Sequence, residues 1–281
     1  MWIPCYPSTT SSTISEFINN DFVYPAEDSA GYGFILGGMI VAFNKLVFEE
    51  HFDGDTINRE LWDYEIGFIR NHEPQYYTDR PCNAYVEDSM LHIVTRREDY
   101  EGAKYTSASL NTLGKFSFRY GKIEMRAKLP WSRGLWPAFW LMGDNFPVVD
   151  WPHCGEIDIM EIFCTQEEAS NGELVMSLHW QSRERDEHGR ITRFYQLPEG
   201  KLADDFHIYG LEWTETELRW LFDGECKVTV PITEDMKGCF NKPHFILINT
   251  ALCDRNEDLR PDEEHTVLPQ EYCVDYIRLY Q

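Results

Sequence analysis

The sequence lacks any apolar run of the ~18 residues that a membrane-spanning helix needs. Its longest, Gly33 to Phe43 (GFILGGMIVAF), is far shorter. It also lacks a CxxC pair, and no Cys/His set has zinc spacing. Eight cysteines in 281 residues are too few for a disulfide scaffold. Cys154, Cys164, Cys226, Cys239 and Cys273 sit inside apolar runs, where buried free thiols are usual, so reduced cysteines are expected. Positive charge is scarce, with 25 Lys+Arg against 48 Asp+Glu and a net charge of −23. That sign repels nucleic-acid phosphates and anionic membranes, so neither is expected as a partner. It suits a neutral substrate and confers solubility. No segment longer than ten residues keeps a helical period, and no repeat or linker interrupts residues 45–281.

What is present is aromatic and alternating. The chain has 9 Trp, 15 Tyr and 17 Phe within a 43% hydrophobic composition. Residues 1–44 read as an N-terminal extension, partly tail-like, with STTSSTIS at Ser8–Ser15 and prolines at 4, 7 and 25. Within it, the Gly33–Phe43 run reads either as a remnant secretion signal or as an extra strand, and Met39 as an alternative start. From 45 onward the period is two. In Gly121–Leu129, Ile123, Met125, Ala127 and Leu129 alternate with Lys122, Glu124, Arg126 and Lys128, the pattern of a half-buried strand. Leu91–Thr95, Ser107–Leu110, Phe206–Trp213 and Tyr272–Tyr280 are further strands. Leu218–Phe222 and Cys226–Val230 flank an Asp223-Gly224 hairpin turn. Many short strands with frequent turns predict an all-β sandwich or jelly roll as one domain over 45–281.

The most informative segment is Gly155-Glu156-Ile157-Asp158-Ile159-Met160-Glu161. Glu156 and Asp158 share one face of a strand, while Ile157 and Ile159 face the core. Strict alternation would bury Glu161 in that core, at a cost of several kcal/mol. One extra residue at Met160, a β-bulge, returns it to the face of the other two acids. Three carboxylates this close push their pKa values apart, which suits one ionised nucleophile beside one protonated acid. Glycoside hydrolysis with retention uses such a pair, held ~5–5.5 Å apart. The same spacing also fits a merely solvated polar face. Trp136 and Trp140 on one face of the neighbouring GLWPAFWLMG strand, with Trp151 just before the acids, add sugar-stacking surfaces, although any single Trp is as easily core.

These residues resemble glycoside hydrolase family 16 in its laminarinase-like form. The resemblance rests on WPHCGEIDIME at Trp151–Glu161. Tyr76-Tyr77-Thr78 with Asn83, Tyr105–Ala108, Gly114–Phe118 with Tyr120-Gly121, Gly134–Gly143 and Val274–Gln281 follow in the family's order. It covers roughly Lys45 to the C-terminus. It implies a jelly roll of two antiparallel sheets with a concave substrate cleft, and retaining endo-hydrolysis of β-1,3-glucan. By position, Glu156 is implied as nucleophile, Glu161 as general acid/base, and Asp158 as a hydrogen-bonding neighbour of the nucleophile. Trp136, Trp140, Trp151, Asn83, His179 and Asn249 are implied to contact substrate. His179 alone is equally a satisfied core histidine. No cofactor is required, because the side chains supply both acid and nucleophile. Relatives are mostly secreted, but no clear signal peptide is visible here; a monomer is expected.

The chain departs from the family at two places. After Asn249 it reads Thr250-Ala251-Leu252-Cys253-Asp254-Arg255-Asn256 instead of a Gly-Gly and an aromatic. A structural calcium in many relatives uses an acid near the N-terminus, a Gly carbonyl and an acid on the last strand. Asp275 matches the last, but His51 and Ser89 stand at the other two. Mixed-linkage β-1,3-1,4-glucanase, transglycosylase, agarase- or carrageenase-like hydrolase and non-catalytic glucan-binding module remain alternatives on the same fold.

Overall fold

A computed structural model describes residues 43–281. The readings of the 1–44 extension, of the Gly33–Phe43 run and of Met39 lie outside the described residues, apart from the last positions of each stretch. The described chain forms β1 (Leu46–Glu50), β2 (Asp63–Glu65), β3 (Gln75–Tyr77), β4 (Ala84–Glu87), β5 (Met90–Tyr100), β6 (Ala103–Ser107), β7 (Ser109–Asn111), β8 (Ser117–Phe118) and β9 (Gly121–Lys128). It continues with β10 (Leu135–Gly143), β11 (Glu156–Glu161), β12 (Glu173–Ser182), β13 (Glu187–Gln196), β14 (His207–Trp213), β15 (Glu217–Phe222), β16 (Glu225–Pro231), β17 (His244–Leu252) and β18 (Gln270–Tyr280). Single helical turns α1 (Phe146–Val149) and α2 (Lys237–Phe240) lie between strands.

Ten strands make one sheet in the order β16-β15-β14-β9-β18-β5-β6-β3, with β1 beside β18 and β4 beside β5. Eight make the other, β13-β12-β11-β10-β17-β7-β2, with β8 beside β17. The strand pairs are antiparallel except β3 with β6. This is the expected sandwich. The alternation read from β9 is obeyed: Ile123, Met125 and Ala127 have no exposure, while Lys122, Arg126 and Lys128 lie on the other face. They meet Leu135, Phe139 and Leu141 of β10, Ile157 and Ile159 of β11, and Ile246 and Ile248 of β17 in one core. Each such side chain contributes roughly 1.5–3 kcal/mol by leaving water.

Two expectations change in detail. The Ser107–Leu110 strand breaks at Ala108 into β6 and β7, each in a different sheet. Cys226 is exposed, although Leu218, Trp220, Phe222 and Val230 of its hairpin reach the core, and Cys273 is half-buried; Cys154, Cys164 and Cys239 are buried, and all described cysteines are free thiols. The hairpin turn itself is as expected. Asp223 (φ 49°) and Gly224 (φ 81°) are both left-handed, the geometry that a tight turn between twisted strands requires.

Candidate active site

β11 lies between β10 and β12 in the eight-stranded sheet. Gly155 enters it at φ 84°, and a Cβ there would come within 2.8 Å of Cys239 Cβ, so only glycine fits. Along β10, Met142 pairs with Glu156, Trp140 with Asp158, Phe139 with Met160 and Ala138 with Glu161. Ile159 is the residue without its own partner, so the bulge comprises Ile159 and Met160 together. Both are buried in the main core. Glu161 thereby returns to the outer face with Glu156 and Asp158. Trp220 of the opposite sheet donates across the core to the Asp158 carbonyl (2.9 Å), tying the strand down beside the bulge.

Each glutamate is met by an indole. Trp151 Nε1 donates to Glu156 Oε2 (2.9 Å), and Trp136 Nε1 donates to Glu161 Oε1 (2.7 Å). Ser177 of β12, cross-strand from Asp158, lies close enough to Glu161 to oppose the rise of its pKa. His179 Nε2 lies 3.8 Å from Glu156 Oε1 and 3.6 Å from Asp158 Oδ2, and its Nδ1 is 2.8 Å from His188 Nε2. Burial raises all three acids, and repulsion by neighbouring carboxylates adds to this at Glu156 and Asp158. Glu156 is pushed up to about 7 by burial and by Glu161, against Arg70, the Trp151 N–H and Arg255. Asp158 is held well above the usual carboxylate range by burial and by both glutamates. Glu161 is raised by burial, while Arg255, Trp136 and Ser177 oppose. The three titrate as one set, which retains a proton at neutral pH. Burial, with His188, Arg190 and Arg255 nearby, pushes His179 well down and keeps it neutral.

The aromatic residues named from sequence surround these acids. Trp136 and Trp140 share the outer face of β10, and Trp151 is the most open of the three, at 38% exposure. Its ring packs on His188, with centroids 4.6 Å apart. Asn249 of β17 is buried and orients an indole: its Oδ1 accepts from Trp140 Nε1 (2.8 Å) while its amide donates to the Tyr77 hydroxyl (3.0 Å). Asn83 departs from its implied role. It has no exposed surface, and its amide is used by Thr78, Arg80, Thr106 and the Val94 carbonyl. It locks the Thr78–Asn83 turn onto β5 and β6 and offers nothing to a sugar.

The calcium set does not fit either. Asp275 accepts a charge-assisted bond from Arg126 (2.5 Å), and the imidazole of His51 bonds Glu49 (3.0 Å). A hard cation wants several free oxygens, whereas here one position is nitrogen and the remaining carboxylate is already neutralised.

The sequence reading missed several groups at this site. Arg255, in the stretch that departs from the family, places its guanidinium 4.3 Å from the Trp136 ring centroid and 5.5 Å from that of Phe163. Arg70 lies 5.1 Å from the Trp140 centroid while paired with Glu65. His188 reaches His179 because β13 pairs with β12. Only Arg255 carried a signal, as a cation where relatives have glycine and an aromatic.

Known proteins share this sequence family and fold. The model of the glycosyl hydrolases family 16 matches residues 75–267, more than half of the chain. A beta-glucanase of Rhodothermus marinus is 34% identical over 253 residues, covering 84% of this chain and 85% of that one. The glucan endo-1,3-beta-glucosidase A1 of Niallia circulans is 29% identical over 270 residues; the match covers 86% of this chain but 38% of that longer protein. The laminarinase catalytic domain of Thermotoga maritima superposes with a TM-score of 0.74 at 38% identity, covering 84% of this chain and 98% of that one. On the family match and the shared fold, the chain belongs to glycosyl hydrolases family 16 and is a glycoside hydrolase.

Proposed function

We propose that the chain is a retaining endo-glycosidase that hydrolyses internal β-1,3-glucosidic bonds of a laminarin-type β-glucan. The observation that carries this is the acid row of β11, in which each glutamate receives its own indole N–H and Asp158 lies between them. The substrate class follows the family and the laminarinase and endo-1,3-glucanase relatives.

In the first step the Glu161 carboxyl gives its proton to the glycosidic oxygen. The C1–O bond breaks as a Glu156 carboxylate oxygen bonds to C1, and a glycosyl ester forms. The released chain leaves as an alcohol. Glu161, now ionised, takes a proton from water, and the water oxygen attacks C1 and frees Glu156. The raised carboxyl pKa values suit this division, because burial favours the protonated form of Glu161, whose proton the leaving group needs. Asp158, held neutral by burial and by both glutamates, keeps its own proton and adds no charge beside the nucleophile. His179, kept neutral by burial, adds no charge beside Glu156.

Reducing-end release from a linear β-1,3-glucan tests the reading, with mixed-linkage glucan and agarose in parallel. Release from β-1,3-glucan, reduced on the order of 10³-fold or more in Glu156→Gln, is expected. Release from another polymer alone would replace the substrate but keep the acids. Full activity in Glu156→Gln would remove the nucleophile assignment. Products longer than the starting oligosaccharide would reassign the enzyme to transfer.

A further inference from the structure

A second cluster of ionisable groups lies on the other sheet. Leu91 and Ile93 of β5, like Tyr272 and Val274 of β18, point into the core. By alternation, His92 and Cys273 point outward, and they are cross-strand partners. Glu271 joins them on the same face of β18.

The two ring nitrogens of His92 face different partners. Nε2 lies 3.2 Å from the Glu87 carbonyl oxygen, which can only accept, so Nε2 carries the proton. In the neutral ring Nδ1 is then a bare lone pair. It faces a Glu271 oxygen at 3.0 Å and the Cys273 sulfur at 3.6 Å. That same Glu271 oxygen accepts from the Tyr85 hydroxyl (2.7 Å). One donor atom from each of His92, Glu271 and Cys273 lies within 4.8 Å of the others.

The nitrogen–sulfur spacing of 3.6 Å matches a metal, and the nitrogen–oxygen pair at 3.0 Å need open only by a few tenths of an ångström. Tetrahedral zinc with Zn–N near 2.05 Å and Zn–S near 2.3 Å separates nitrogen from sulfur by about 3.6 Å, and nitrogen from oxygen by about 3.4 Å. The surroundings match as well. A metal-binding imidazole usually donates its other N–H to a carbonyl or carboxylate, as His92 does to Glu87. Its ring is also stacked on Tyr85, with centroids 4.7 Å apart and planes 2° from parallel, so its direction is set before any ion arrives. A hollow of about 440 Å³ beside Glu271 and Cys273, bordered by Lys128, Pro130 and Ala203, leaves room for a water as fourth ligand.

We propose that His92 Nδ1, Glu271 and Cys273 form a binding site for a borderline-soft divalent cation of the zinc class, which staples the last strand β18 to β5. Binding forms a metal–sulfur bond and releases the thiol proton to solvent. Without the ion, burial and Glu271 push the Cys273 thiol up to about 12. The site is separate from the acids of β11 and does not depend on the proposed glucanase activity.

Cobalt(II) titration of the full chain tests this, because a Co–thiolate bond gives a near-ultraviolet charge-transfer band that carboxylate or imidazole ligands do not. One equivalent should produce the band. Zinc should abolish it by displacement and raise the melting temperature. Cys273→Ser should lose both the band and the zinc-dependent shift, Glu271→Gln should weaken cobalt binding, and Glu156→Gln should leave both responses intact. Absence of the band would overturn the proposal. So would a band that survives in Cys273→Ser, which would point to exposed Cys82 or Cys226. An equal zinc shift in wild type and Cys273→Ser would also overturn it.

Discussion

At the scale of single residues, the two glutamates differ in what holds them. Glu156 takes its hydrogen bond from Trp151, which stands open to solvent and is braced by His188. Glu161 takes its own from Trp136, which is almost wholly buried and lies beneath the Arg255 guanidinium. The Trp136 N–H favours the ionised form of Glu161. Trp136→Phe keeps an aromatic surface and removes that donor. A hydrogen bond to a charged group is worth about 1.5–3 kcal/mol, so kcat should fall roughly 10- to 100-fold. The Glu161 pKa should rise, moving the alkaline limb of the kcat/KM profile to higher pH. A variant that changes KM alone would show that the indole only stacks on substrate.

At the scale of the element, β11 works because it is irregular. Ile159 and Met160 together oppose one position of β10, and both bury their side chains. Deleting Ile159 would remove the surplus residue, and strict alternation would then leave Glu161 on the outer face with Met160 alone turned inward. The lost isoleucine should cost about 2–5 kcal/mol in urea unfolding while the three acids stay in a row. Ile159→Val keeps the extra residue and should cost only about 1 kcal/mol with activity retained. Loss of hydrolysis in Ile159→Val would show that packing, not the bulge, sets the acid row. The expectation located the bulge at Met160 because the sequence shows that one residue is surplus between Asp158 and Glu161. Which backbone position loses its partner is set by the register of β10, far from sequence view.

At the scale of the molecule, stability is tied to buried groups that must keep one protonation state. His244 is fully buried between Trp213 and Phe240, with Nδ1 bonded to the Lys242 carbonyl (3.0 Å) and Nε2 without a partner. Burial pushes its pKa down to about 4. The unfolded chain, with a histidine near 6.5, binds the proton first. Stability from this residue is therefore complete above about pH 6.5 and is lost as pH falls through 4, by about 3 kcal/mol in total. The raised acids of β11 act in the opposite sense, favouring the fold as pH falls. Denaturant unfolding at pH 7, 5.5 and 4 in wild type and His244→Phe separates the two. The variant should lose the histidine's share of the acid destabilisation, and parallel curves would show that other groups cause it.

The chain's own pattern determined the two-sheet sandwich, the shared face of Glu156 and Asp158, and the need for a bulge before Glu161. These follow from alternation and from the cost of burying charge, which act between residues only a few positions apart. Tertiary structure decided the rest. It buried Asn83 inside its turn, turned Asn249 into the support of Trp140, and gave Asp275 to Arg126. It also brought Arg255 over Trp136 and His188 against His179. Most of these partners lie in strands or loops that become neighbours only through the sheet order. Even His188, nine positions from His179, meets it only once β13 folds back on β12, and the local hydrophobic period does not encode that register.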